Sequence, residues 1–230
     1  MPLAIVTGTS RGLGRALTER LLAEGWIVHG FAREPDAWAP PGFVAHAVDV
    51  GDPAAVRAAV AAVTAAGTPV DLLVNNAGAA AMNALLLTPP EVAAELMRVN
   101  YLGTFHCLQA VGKVMVRARR GRILNVTTVA VPLALEGEAA YVASKAAVEA
   151  LTRVAARELG PHGLVVAAVG LGPVDTRLTR AVGAAPLARL NARIGRPAGT
   201  TVAEAADFLF RQAVDPGLVG GSIRYLAELP

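Results

Sequence analysis

Residues 3–22 read LAIVTGTSRGLGRALTERLL. The stretch opens on a short, continuous apolar run. It passes glycines at 8, 12 and 14, then places apolar residues at Leu13, Ala16, Leu17 and Leu21. A continuous run suits a strand buried on both faces, and the later spacing suits one face of a helix. Glycines at the junction let the backbone turn sharply and approach a pyrophosphate, whose charge a helix N-terminus stabilises. Strand, glycine loop and helix in this order predict an α/β domain that opens on a dinucleotide site. The residues expected at that cofactor are Gly8, Ser10, Arg11, Gly12, Leu13 and Gly14.

The same grammar continues outward. Apolar runs at 26–32, 43–50, 71–78, 121–128, 164–170 and 218–226 read as further strands. Between them lie helical segments. Asp52-Pro53 gives an N-cap and a first-turn proline for a helix to about 66. Capping boxes are expected at Thr88–Glu91, opening a long helix to about Arg117, and at Thr201–Glu204, opening one to about 213. Residues 138–159 form another. Alternating strands and helices, with no linker or repeat, predict one Rossmann-type domain over 1–230. Its doubly wound parallel sheet has about seven strands, with helices on both faces and ligands at the strand carboxyl ends.

Composition narrows the function. Of 230 residues, 54% are hydrophobic and 17% charged, which excludes a disordered chain. A net charge of +3 and 4% aromatics give neither the field nor the stacking platform of a nucleic-acid binder. The longest uncharged run, residues 72–90, is broken by Asn75, Asn76, Gly78 and Asn83, so no membrane span is expected. The opening MPLAIVTG has no basic leader, and the expected location is cytoplasmic. A single cysteine, Cys107, sits in an apolar run and reads as a buried hydrophobe; His29, His46, His106 and His162 lack metal-ligand spacing. No metal is expected.

The end of the second strand chooses the cofactor. A free ribose 2′-hydroxyl pairs with an acid there, a 2′-phosphate with arginine. The sequence HGFARE offers Arg33, and Arg11 adds a cation from the glycine loop, so NADP(H) is expected.

Chemistry is expected at Tyr141 and Lys145. A spacing of four puts both on one helix face, and a nearby ammonium favours the phenolate of a group whose free pKa is ~10. Of 21 basic residues only Lys113 and Lys145 are lysine, and arginine could not serve as a tunable amine. Thr128 supplies a hydroxyl thirteen positions before the tyrosine, while Thr127 should face the other way.

Thr7-Gly8-x-x-x-Gly12-x-Gly14, Asn75-Asn76-Ala77-Gly78, Asn100 and Tyr141-x-x-x-Lys145, in this order, resemble the short-chain dehydrogenase/reductase family. The resemblance covers essentially the whole chain and is nearest to its 3-oxoacyl-acyl-carrier-protein reductase-like members. It implies that Tyr141 is the general acid, that Lys145 holds the nicotinamide ribose and lowers the tyrosine pKa, and that Asn100 holds a relay water. Asp49 and Val50 would flank the adenine. Asn76, Ala77 and Gly78 would line the inner ribose, and Gly172, Val174 and Thr176 would lie at the nicotinamide. The chain departs from the family pattern with Thr128 for serine, Leu171-Gly172 for Pro-Gly, and Ala167 for asparagine.

The implied activity is NADPH-dependent reduction of a ketone, with a 3-oxoacyl thioester or polyketide-type substrate. A stand-alone alcohol or sugar dehydrogenase and a catalytically silent NADP-sensing protein are the alternatives. The family's substrate lid falls at about 176–200. Here it carries Arg177, Arg180, Arg189, Arg193 and Arg196 and no acid, a charge suited to an anionic or carrier-linked substrate. A second basic run, RARRGR at 117–122, could meet an acidic carrier. The resemblance also implies a homotetramer or homodimer built through the helices at 89–117 and 138–159.

Overall fold

The computed structural model describes every residue except 36, 66, 177–182 and 229–230. Seven strands form one sheet: β1 Leu3–Thr7, β2 Ile27–Ala32, β3 Phe43–Ala47, β4 Leu72–Asn75, β5 Gly121–Thr128, β6 Leu164–Leu171 and β7 Ile223–Leu226. Their order is β3-β2-β1-β4-β5-β6-β7 and every pairing is parallel. The strand order reverses between β1 and β4, so a crevice opens beyond their carboxyl ends.

The helices are α1 Gly12–Ala23, α2 Pro53–Thr64, α3 Pro90–Leu96, α4 Gly103–Ala118, α5 Ala130–Leu133, α6 Ala139–Leu159, α7 Ala184–Arg193 and α8 Val202–Val214. Strand side chains alternate between two cores, as the pleat requires. Ile5, Phe31, Leu73 and Ile123 meet Val56 and Val60 of α2, Val111 and Met115 of α4 and Ala155 of α6. Val6, Val28, Val74 and Leu124 meet Leu17 and Leu21 of α1 and Leu209 and Phe210 of α8. Both faces are therefore covered, which is why these strands read as unbroken apolar runs. Cys107 is fully buried in the first core, and burial pushes its thiol up to about 12, as expected of a small hydrophobe.

The caps at Asp52 and at Thr201–Glu204 form as expected. The one at Thr88 does not. The N-cap of α3 is Pro89, and the Thr88 hydroxyl donates backwards to Ala84 O at 3.1 Å. The helix starts one residue later than the box requires, so Glu91 falls at N2 and not N3, and the N-cap Pro89 has no side-chain acceptor. The long helix is also interrupted: Met97–Leu102 winds as a π turn, and Asn100 lies within it. The last strand is shorter than its apolar run, because residues 215–221 turn on Asp215 before β7 begins. Helix α7 lies inside the expected lid and was not anticipated. Among the described residues no helix is long and apolar enough to cross a membrane.

Candidate active site

The crevice is built first by the β1 and β4 loops. The Thr7 hydroxyl accepts from the amides of Asn76 at 3.0 Å and Ala77 at 2.9 Å, and the Asn76 side chain donates to Thr7 O at 2.9 Å. Gly8 has φ +76°, and a Cβ on Gly14 would lie 2.2 Å from the Gly8 carbonyl oxygen. Only glycine lets α1 begin so close to the loop. Arg11 occupies the N-cap of α1 without a side-chain cap. Arg15 braces the loop from beneath, donating to Thr9 O at 3.3 Å and Ser10 O at 3.2 Å while lying 3.9 Å over the Trp38 ring.

The resulting cleft has a volume of about 590 Å³. Its walls include Gly8, Ser10, Arg11, Gly12, Leu13 and Gly14, then Arg33, Asp49 and Val50, then Asn76, Ala77 and Gly78. Thr128, Tyr141, Lys145, Gly172, Val174 and Thr176 complete it. Every residue given above a catalytic or cofactor-binding role lines this one cleft except Asn100. Gly172 has a packing reason as well, since a Cβ there would come within 2.5 Å of Ile194.

Helix α6 presents Tyr141, Lys145, Glu149 and Thr152 to the sheet, near-integral turns apart. Buried hydrogen bonds fix it there. Asn75 donates to Asn125 at 2.8 Å, and Asn125 donates to Thr152 at 2.9 Å. Glu149 accepts from Thr127 and from Tyr225, each at 3.0 Å. The Thr127 hydroxyl is thus turned to Glu149, though the residue still lines part of the cleft. Thr128 faces into it, its oxygen accepting from Ala130 N at 3.2 Å and its proton left to donate.

Lys145 is buried, with Nζ donating to Val126 O at 2.8 Å, and burial pushes its pKa down to about 8. Burial pushes the Tyr141 phenol up to about 12; a hydrogen bond with the Thr128 hydroxyl lowers it, and the Glu138 charge raises it. The expected pull of Lys145 on the phenol is not among these causes. Its ammonium is committed to the Val126 carbonyl, and the group that lowers the tyrosine is Thr128.

Asn100 is fully buried behind the cleft wall. Its Oδ1 accepts from Ala79 N at 2.8 Å, and its Nδ2 donates to Ala79 O and to Ser144 Oγ, each at 2.9 Å. The amide therefore holds the β4 loop and α6 together. A Cβ on Gly78 would lie 3.2 Å from Asn100 Oδ1 and 3.5 Å from Lys145 Nζ, so glycine keeps that approach open.

At the far end, Asp49 accepts from Gly51 N at 2.8 Å and from Arg98 Nη1 at 3.0 Å. Burial raises its pKa, but the Gly51 amide and Arg98 outweigh that and leave it below the usual carboxylate range. Arg98 also grips Glu95 with two contacts, 2.7 and 2.9 Å. Arg33 and Arg11 are exposed at this end.

A sequence profile described as short chain dehydrogenase matches residues 2–186. The chain belongs to the short-chain dehydrogenase family. It is an NAD(P)-dependent oxidoreductase. Its relatives include the 3-oxoacyl-[acyl-carrier-protein] reductase of Vibrio cholerae, 35% identical over 90% of this chain and 88% of the relative. The Escherichia coli protein of the same name is 33% identical over the same shares. Among solved structures, ElxO with NADP bound superposes with a TM-score of 0.89 at 20% identity, covering 98% of this chain and 96% of ElxO. A tyrosine variant of ElxO with NADPH bound gives the same score and identity, over 97% and 96%.

Within this short-chain dehydrogenase, sequence reasoning missed Ser144, Arg98, Glu95 and Glu138. Ser144 follows Tyr141 by three and donates to its carbonyl at 2.7 Å, a spacing that was readable. Arg98 precedes Asn100 by two and crosses to Asp49, forty-nine residues away, which no local pattern reveals. The lid arginines do not line the cleft where they are described. Arg189 and Arg193 are exposed, and Arg196 is taken by Thr200 at 3.3 Å and Glu204 at 3.1 Å. Arg177 and Arg180 lie outside the described residues.

Proposed function

We propose that this protein reduces a ketone to a secondary alcohol with NADPH, Tyr141 giving the proton. The observation that carries the reading is convergence. Tyr141, Thr128 and Lys145 share a cleft with a glycine loop and two arginines. The residues fit the cofactor. The Gly8–Gly14 contact excludes any side chain from the phosphate turn, α1 starts without a side-chain cap, and Arg11 and Arg33 suit a 2′-phosphate. Asp49 and Val50 would take the adenine, Asn76, Ala77 and Gly78 the inner ribose, and Gly172, Val174 and Thr176 the nicotinamide.

When bound, NADPH supplies the hydride that forms the new C–H bond. Thr128 donates a hydrogen bond to the carbonyl oxygen and so stabilises its developing charge. The Tyr141 phenol, protonated at neutral pH because its pKa stands near 12, transfers its proton to that oxygen. Lys145, with a pKa of about 8, exchanges protons near neutrality and resupplies the phenol. Asn100 sets the height of α6 against the β4 loop.

The names of the relatives support a 3-oxoacyl thioester as the first substrate class. A carrier docked on the 117–122 run would sit far from the chemistry. That run feeds the start of β5 and Thr128 ends it, seven residues or ~23 Å along a strand. Arg120 is paired with Asp71 at 3.0 Å, and Arg122 donates to the Ala213 and Asp215 carbonyls, which leaves Arg117 and Arg119 exposed. A free small ketone is the second reading, favoured because no described lid arginine lines the cleft. An apolar groove between α4 and α6, lined by Phe105, Leu108, Val116, Leu151 and Val154, supports pairing with a second copy as a dimer or tetramer.

The experiment is NADPH oxidation over a ketone panel that includes 3-oxoacyl thioesters, with NADH and Tyr141→Phe alongside. Turnover that prefers NADPH and vanishes in the variant supports the reductase. Tight NADPH binding with no turnover on any ketone overturns it in favour of a sensor.

A further inference from the structure

Glu138 occupies the N-cap of α6, three residues before Tyr141, and lines the cleft. Its carbonyl accepts from Val142 N at 2.7 Å, but its carboxyl caps no helix N–H. Among the described residues the carboxyl has no hydrogen bond and no ion pair. It is half-buried, and burial pushes its pKa up. Its charge reaches Tyr141 strongly enough to raise the phenol. Met82, Ala130, Leu135 and Leu190, which line the same cleft, are apolar.

A carboxylate partly withdrawn from water, with no partner among the described residues, is costly. Helix N-termini stabilise a carboxylate, yet this one accepts from none of the helix amides, and its residue lines the cleft. A substrate that brings a donor to that place removes the cost. The position also sets where the donor must be. Helix positions three apart hold their Cβ atoms about 5–6 Å from one another. A ligand whose carbonyl oxygen meets Tyr141 therefore reaches Glu138 with a group about two or three bonds from the carbonyl carbon.

We infer that Glu138 is a specificity residue selecting ketones that carry a hydrogen-bond donor, a hydroxyl or an ammonium, close to the carbonyl. The inference rests on the proposed reduction and sharpens its substrate class. The same carboxylate disfavours a carboxylate or phosphate at this place, against the expectation of an anionic substrate drawn from the lid charge.

The test is a matched series of ketones of equal length. Each bears a hydroxyl, an ammonium, a methoxy or a carboxylate group at one position two bonds from the carbonyl carbon. For wild type, kcat/KM for the hydroxy- or ammonium-ketone should exceed the methoxy-ketone by about tenfold or more, as for a hydrogen bond to a charged group. The carboxylate member should be the poorest. In Glu138→Gln that ratio should collapse toward one, and the carboxylate member should gain relative to the methoxy member. A ratio unchanged in the variant, or a wild type that prefers the methoxy or carboxylate member, overturns the inference. Calorimetric binding of the matched alcohols in the presence of NADP separates the two readings. If no ketone turns over but the donor alcohols still bind more tightly, and lose that advantage in Glu138→Gln, the reduction fails and the donor site stands.

Discussion

At the glycine-loop end of the cleft the wall is main chain; at the Tyr141 end it is side chain. Gly8 and Gly14 shape the first by what they lack, and Thr7, Asn76 and Arg15 fix it by bonding to backbone groups. The second is assembled from Thr128 on β5, Glu138, Tyr141 and Lys145 on α6, and Leu190 on α7. Its hydrogen bonds run between side chains and across elements. A ligand held by main chain is insensitive to most substitutions around it. One held by side chains changes with each of them. The cofactor end is thus the rigid, general half and the Tyr141 end the adjustable one.

The strongest challenge to that contrast is Tyr141→Phe. Turnover should drop by about 10²–10⁴-fold, the range of a positioned general acid, while NADPH affinity stays within about threefold. Stopped-flow reduction and fluorescence titration read the two separately. A large loss of binding would mean that the halves are not independent. Thr128→Val should cost about a hundredfold in kcat through the lost donor, and Thr128→Ser should restore it. Rising pH probes the same half. Burial lowers the Lys145 pKa from 10.5 to about 8, so the ammonium is present below that value and lost above it. The kcat for reduction should fall as pH climbs through about 8. A flat profile to pH 10 would remove Lys145 from proton supply.

The cofactor half is broken by other means. Arg33→Ala should shift the NADPH-over-NADH preference by about 10–100-fold, the worth of a charge-assisted contact, measured as a ratio of dissociation constants. Arg98→Ala should weaken both cofactors alike, because it frees Asp49 and touches no phosphate in this reading. Gly14→Ala puts a methyl 2.2 Å from the Gly8 carbonyl and 2.6 Å from the Asn76 amide. Overpacking of this kind costs about 1–3 kcal/mol, or roughly 2–12 °C in Tm for a chain of this length. An unchanged Tm would show that the loop is looser than its hydrogen bonds imply.

The same division explains what the sequence revealed. The sheet was legible because strands covered on both faces must be apolar throughout, as β1 and β4 are. The glycine loop was legible because a backbone requirement leaves a residue-type signature, as at Gly14. Glu138 was not, since a lone acid at a helix start normally caps, and only the fold shows that this one does not. Arg98 was hidden because its partner Asp49 is distant in the chain, and the π turn at 97–102 because its residues are ordinary helix formers. The Thr88 box failed because the helix starts at Pro90, which puts a proline with no side-chain acceptor at the N-cap and Glu91 one position early.

The smallest effect lies on the cofactor half, at His29 and His46 on neighbouring strands. His29 Nδ1 and His46 Nε2 lie 2.8 Å apart with rings stacked at 5.1 Å. Such a contact needs one nitrogen donating and the other accepting, so a proton added to the acceptor breaks it, and a second proton would set two charges together. Burial, with the neighbouring ring's charge, lowers His29 below its usual 6.5, and burial lowers His46. The unfolded chain therefore takes protons near pH 6.5 that the folded one refuses. Stability from this pair is complete above about 6.5 and is lost as pH falls below it. Tm should decline gently from pH 7 to 5, and His46→Gln should flatten part of that decline. Because the pair ties β2 to β3 beneath Arg33, NADPH affinity should follow the same fall, while kcat at saturating cofactor should not. A parallel fall in kcat would erase the boundary between the two halves.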